Sequence, residues 1–144
     1  KQKLKIIKMN RETLKEIYKK YNLNKDDIFT LTFGNAKKHI ITRPGIEKIQ
    51  AQLGIQVNFK IEKISEDFKH VIILAHGVIM KTNNEGKLVP DKMCQSFGEV
   101  SPRNSSNSYP VAMAEKRALG RVVIKLANLF GIYSEDEAEE FKKQ

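Results

Sequence analysis

Three observations in the sequence predict an α+β fold. Ile55, Val57, Phe59 and Ile61 alternate with Gln56, Asn58, Lys60 and Glu62, the period of a half-buried strand. Two further strand-like runs follow at 68–80 and 93–100, set apart by polar turns at 65–67 and 82–87. A helical pattern over 111–130 then aligns Ala114, Ala118, Val122, Leu126 and Leu129 on one stripe, widened by Leu119, Val123 and Phe130. The expected architecture is an antiparallel β-meander packed on a long C-terminal helix. This β-β-β-α core is preceded by an N-terminal helix and a β-hairpin.

Taken in chain order, residues 1–9 alternate cations with Leu4, Ile6 and Ile7, as an edge strand or a basic arm would. Asn10 offers a side-chain cap for a first helix, on which Leu14, Ile17, Tyr18 and Tyr21 recur at helical spacing. After a polar break at 22–27, the strands 28–33 and 36–42 flank Gly34-Asn35, a tight-turn pair. Pro44 suits the first turn of a second helix, Ile46, Ile49 and Leu53 share its apolar face, and Gly54 ends it. The β-branched run 68–80 is expected to bend at Gly77. With no internal repeat and no linker-like stretch, residues 1–144 read as a single domain with a basic arm at about 1–9 and an acidic tail at about 134–144.

Composition narrows the partners. Net charge is +9, and the excess sits in the first half: residues 1–72 carry sixteen Lys/Arg against eight Asp/Glu, residues 73–144 ten against nine. Such a balance suits a polyanion as partner. Cys94 stands alone, so no intrachain disulfide forms and a reducing, cytoplasmic setting is expected. No apolar run approaches membrane-spanning length, so no membrane contact is expected.

Catalytic groupings are scarce. His39, His70 and His76 lack Cys or carboxylate partners at ligand spacing, so they read as sheet-face side chains and no metal is expected. There is no phosphate-binding GK[ST] triplet, and no cofactor is expected. Glu99 and Glu115 are the carboxylates best placed to meet, yet two acids alone are weak support for metal-assisted hydrolysis. The chain reads as a binding protein rather than an enzyme.

Three groups of residues suggest nucleic-acid contacts. On the helix, Arg117, Arg121, Lys125 and Asn128 recur at spacings of four, four and three, with Lys116 beside the row; such a row matches spaced phosphates. In the loop 101–110, rich in Ser and Asn, Arg103 offers a cation and Tyr109 a ring that stacks on a base. At the hairpin, Lys37, Lys38, His39 and Arg43 lie close to Phe29 and Phe33. Cations interleaved with aromatics suit single strands, whose phosphates and bases are both accessible. The double substitution Arg117→Ala with Arg121→Ala is therefore expected to weaken binding without unfolding the domain.

Phe97-Gly98-Glu99, then Ala112-Met113-Ala114-Glu115-Lys116-Arg117-Ala118-Leu119-Gly120-Arg121 and Phe130-Gly131, resemble the core of single-strand annealing proteins. That superfamily includes the Erf-type phage annealing proteins, the bacterial DdrA group and the eukaryotic annealing-ring recombination mediators. Thr42-Arg43-Pro44-Gly45-Ile46 and Leu53-Gly54 resemble its phage and plasmid members, and the likeness spans about 33–141. It implies ATP-independent binding of single-stranded DNA in a basic groove, homo-oligomer assembly, and pairing of complementary strands in recombination or repair. The matching groove positions are Lys37, Lys38, Arg43, Lys116, Arg117 and Arg121. Two alternatives stand beside it: a double-stranded RNA-binding module, built α-β-β-β-α, and an accessory protein that binds an acidic protein partner.

Overall fold

Asn10 opens helix α1 (Arg11–Lys20) by accepting the Thr13 N–H at 2.8 Å. The computed structural model describes residues 10–106 and 108–138, so the arm at 1–9, Asn107 and the tail beyond 138 lie outside the described residues. Strands β1 (Ile28–Phe33) and β2 (Ala36–Ile41) pair antiparallel across a turn in which Gly34 takes φ +57°. Thr42 then caps helix α2 (Arg43–Leu53), Pro44 fills its first turn, and Gly54 at φ +66° ends it.

Strands β3 (Ile55–Ile64), β4 (Val71–Thr82) and β5 (Leu88–Val100) form one antiparallel sheet in that order. Helix α3 (Pro110–Leu126) packs across β4 and β5. The α+β class, with antiparallel strands and a C-terminal helix packed on them, is therefore borne out. The contact runs along Ala114, Ala118 and Val122, all fully buried, against Val71, Ile73 and Ala75. Two glycines set its closeness. A Cβ on Gly98 would collide with the Ala114 carbonyl and the Ala118 nitrogen, and one on Gly77 with the Val122 side chain. Gly77 is thus a close packing contact, and the register irregularities of the sheet fall at Ile61/Lys63 and Ile79/Met80.

Several boundaries move. The helix stops at Leu126 rather than 130, because Asn128 (φ +57°) and Gly131 (φ +89°) turn left-handed and the Leu129 N–H takes the Ile124 carbonyl. The freed chain forms a short strand, β6 (Ile132–Ser134), that pairs parallel with β2 and completes a second sheet, β1-β2-β6. The strands β4 and β5 also start at Val71 and Leu88 instead of 68 and 93. On the β5 side the turn is tightened by Asn83, whose Oδ1 accepts the Glu85 and Lys87 N–H groups at 2.9 Å each.

Helix α3 has strands on two sides, since Gly120 abuts Ser134 of β6 while Ala114, Ala118 and Val122 face the larger sheet. Ile28 and Ile41 of the small sheet, with Ile46 and Ile49 of α2, close the same core. Each such side chain contributes ~1.5–3 kcal/mol by leaving water. Among the described residues no helix is long and apolar enough to cross a membrane.

Candidate nucleic-acid interface

The helix cations lie beside β5, an edge strand of its sheet among the described residues. Arg117 is only 2% exposed. Its Nη1 donates to Glu99 O (3.0 Å), Nη2 to Asn104 O (2.9 Å) and Nε to Asp136 O (3.0 Å). Arg121 donates to Phe97 O (2.6 Å), to both Glu99 carboxylate oxygens (2.8 and 3.1 Å) and to Glu137 Oε1 (2.7 Å). Lys125 Nζ reaches Ser96 Oγ at 3.1 Å. The row predicted to meet phosphates instead seals a sheet edge. Arg117 is buried and Arg121 half-buried, so neither presents a free cation; of the three, Lys125 alone is exposed. Spacings of four mark a side of a helix, but they do not reveal what strand lies beside it.

The structure does gather cations from α2 and α3, around the acidic 3-10 turn Glu135–Glu137. The Arg43 N–H donates to Glu135 Oε1 at 2.8 Å, and its Nε meets Glu47 at 3.3 Å. Burial, reinforced by Glu135, pushes the Asp136 carboxyl above its ordinary range although Lys116, Arg43 and Arg117 pull it down. Hydrogen bonds from Arg121 hold Glu99 below the usual glutamate range. Burial alone would lower Arg121, but Glu99 and Glu137 keep it above its ordinary value. The described part of the acidic tail is thus docked among four of the predicted groove cations.

The remaining predicted positions are spread out. Lys37 is exposed on the hairpin, and Lys38 is half-buried with Nζ 5.3 Å from the centre of the Tyr133 ring. His39 meets Thr30 at 3.2 Å. Arg103 and Tyr109 are exposed at the β5–α3 loop, Tyr109 by 71%. Glu99 is engaged by Arg121 and not paired with Glu115 at a metal site; among the described residues no three His, Cys, Asp or Glu side chains are grouped to hold a metal. Burial raises the Cys94 thiol, which sits 3.6 Å from the Val122 carbonyl.

A second surface escaped the sequence reading. The register places Lys60, Leu74 and Phe97 in one row across the larger sheet, Asn58, His76 and Gln95 in the next, and Gln56, Val78 and Met93 in a third. Lys63, Ile72 and Glu99 make the fourth. All but Glu99, whose carboxylate is taken by Arg121 of α3, lie on the face opposite α3, because Ala75 and Gly77, one residue out of step, face the helix. On this face Phe97 is 51% and Met93 59% exposed, beside the half-buried aliphatics of β4. The signal was present in the alternation of β4 and β5, but a strand apolar on both faces does not say which face a helix covers.

No protein-family model matches this chain, and no curated protein does either.

Proposed function

We propose that the protein binds single-stranded DNA and pairs complementary strands without ATP or any catalytic group, assembling as a homo-oligomer. The observation that carries the binding is the outer face of the β3-β4-β5 sheet. There Lys60 and Lys63 on one edge strand and Phe97 and Met93 on the other flank an aliphatic centre. A bound strand needs cations for its phosphates and rings for its bases, and an open sheet supplies both while leaving base edges turned outward. Lys37 on the hairpin, Arg103 in the β5–α3 loop and Lys125 on α3 are further exposed cations outside this face. The pairing activity and the oligomer come from the resemblance to single-strand annealing proteins. The cation cluster at Arg43, Lys116, Arg117 and Arg121 is left out of the strand-binding surface because Glu135–Glu137 sits among it, Arg117 is buried, Arg121 is paired with Glu99 and Glu137, and Arg43 with Glu47.

One observation favours a second reading. The order α2-β3-β4-β5-α3, with both helices in contact, is that of a double-stranded RNA-binding module. The start of α3 counts against it, because Pro110-Val111-Ala112-Met113 carries no cation for a duplex phosphate. Binding to labelled single-stranded DNA, duplex DNA and duplex RNA across a salt series, with strand pairing followed in the same samples, separates the readings. Preference for single strands with faster pairing is the expected result; preference for duplex RNA would establish the alternative. No salt-dependent binding to any of the three would exclude both.

A further inference from the structure

The β3–β4 turn and the β5–α3 loop enclose a surface pocket of about 390 Å³ at the Val71/Val100 end of the sheet, lined by Phe68 and Lys69 on one side and Ser101, Pro102 and Ser108 on the other. That volume falls in the ~300–1,000 Å³ range of small-ligand sites.

Both walls are built rather than slack. In the turn, Ser65 Oγ donates to Asp67 Oδ1 (2.6 Å), Asp67 Oδ1 accepts the Lys69 N–H (3.0 Å), and the Phe68 N–H reaches Ser65 O (2.9 Å). These bonds hold Phe68 at φ +57° with its ring 59% exposed. The other non-glycine residues described at positive φ are Asn22 and Asn128, whose side chains tolerate that region; a phenylalanine there costs ~1–2 kcal/mol. In the loop, Asn104 Oδ1 accepts the Ser101 N–H (2.9 Å), and the Asn104 carbonyl is held by the buried Arg117. Arg117 therefore positions the loop wall from within the core. A strained, exposed ring held over a preformed pocket is a pattern found at ligand sites.

We infer that this pocket takes one unpaired nucleobase of a bound single strand, stacked on Phe68. The inference rests on the single-strand reading above. The Ser101 and Ser108 hydroxyls donate to or accept from the base edge, and Lys69 and Arg103 meet the flanking phosphates. The Asp67 carboxylate in the lining disfavours an anion inside, so the base enters and the phosphate stays out.

The test compares the full chain with Phe68→Gly and Phe68→Asn, both suited to positive φ, on an oligothymidylate strand and on an abasic strand of equal length. Melting temperatures at or above that of the wild type are expected for both variants. Affinity for the thymidylate strand should fall about tenfold, within the ~1–3 kcal/mol of one base–aromatic stack, while abasic binding stays unchanged. Phe68→Trp should retain the wild-type affinity. Wild-type binding to thymidylate that survives undiminished in the Gly and Asn variants would overturn the pocket and leave the single-strand reading standing. An equal loss on both strands would also overturn the pocket, since a base-holding ring acts only where bases exist. Failure of the wild type to bind either strand would overturn the pocket and the reading together.

Discussion

Two sets of cations in this protein look alike in composition and differ in what surrounds them. Arg117 and Arg121 spend their donors on the carbonyls of Phe97, Glu99, Asn104 and Asp136 and on the carboxylates of Glu99 and Glu137. Lys60, Lys63, Lys37 and Arg103 stand in solvent, with Lys60 making only an exposed 3.5 Å pair with Glu62. A guanidinium buried among carbonyls is part of the fold, since removing it strands acceptors that water cannot reach. An exposed ammonium is worth little to stability and remains available to a phosphate. The difference teaches that charge pattern along a helix identifies a side, whereas the edge of a neighbouring strand decides whether that side is internal.

The sharpest way to break this contrast is Arg117→Ala. Three carbonyls and the loop wall lose their shared donor, so unfolding free energy should drop by several kcal/mol, at about 1–3 kcal/mol for a buried acceptor left unsatisfied. Chemical denaturation measures it, and a loss below ~1 kcal/mol would show that the interior reading of this cation is wrong. Arg117→Lys should rescue little, because one ammonium cannot replace a planar fork. The Arg117→Ala, Arg121→Ala pair predicted from the sequence to spare the fold is now expected to unfold it.

On the open face, Phe97→Ala should do the reverse. Its ring is half-exposed, so stability should change by about 1 kcal/mol or less, while single-strand affinity falls by ~1–3 kcal/mol if a base stacks on it. Unchanged affinity would move the strand off this face.

A smaller effect separates the two regions by pH. Arg121 lowers the Glu99 carboxyl, so the stability from this pair is full above the ordinary glutamate value of ~4.3 and is lost as pH falls through the lower folded value. For Asp27, burial raises the carboxyl but hydrogen bonds from Lys48 (2.6 Å) and the Asn24 N–H outweigh it, giving a net lowering and the same sign. Asp136 has the opposite sign: raised by burial, it binds its proton more tightly when folded and favours the fold on acidification. With Glu99→Gln the acid loss should become shallower, read from melting temperature between about pH 5 and pH 3. An unchanged slope would remove the ion pair from the account.

The alternation at 55–61, the cap at Asn10, Pro44 at the start of α2, and the Ala114-Ala118-Val122 stripe were legible because local periodicity and capping chemistry determine them. The end of α3 was not. Leu129 and Phe130 continue the apolar pattern, and only the left-handed turn at Asn128 releases the chain to pair β6 beside β2, a contact between residues some 90 apart in sequence. The fate of Arg117 was illegible for the same reason, since its partners come from β5, the loop and the acidic turn. Lys37 near the tip of the hairpin and Arg103 in the β5–α3 loop are both exposed.

The smallest expected effect tests whether place or mere charge governs binding. Lys60→Ala with Lys63→Ala removes two cations from the proposed face, and Lys81→Ala with Lys87→Ala removes two from the far end of the same sheet, leaving equal net charge. Both pairs are exposed, so neither double variant should lose more than about 1 kcal/mol of stability. If Lys60 and Lys63 each neutralise a phosphate, the slope of log affinity against log salt should flatten by about 1.4, twice the ~0.7 per contact of single strands. The far pair should leave the slope almost unchanged, because a charge that touches no phosphate releases no counterion. Equal flattening by the two pairs would mean that the strand responds to the field of the whole basic molecule and not to the rows that Lys60 and Lys63 share with Phe97 and Glu99.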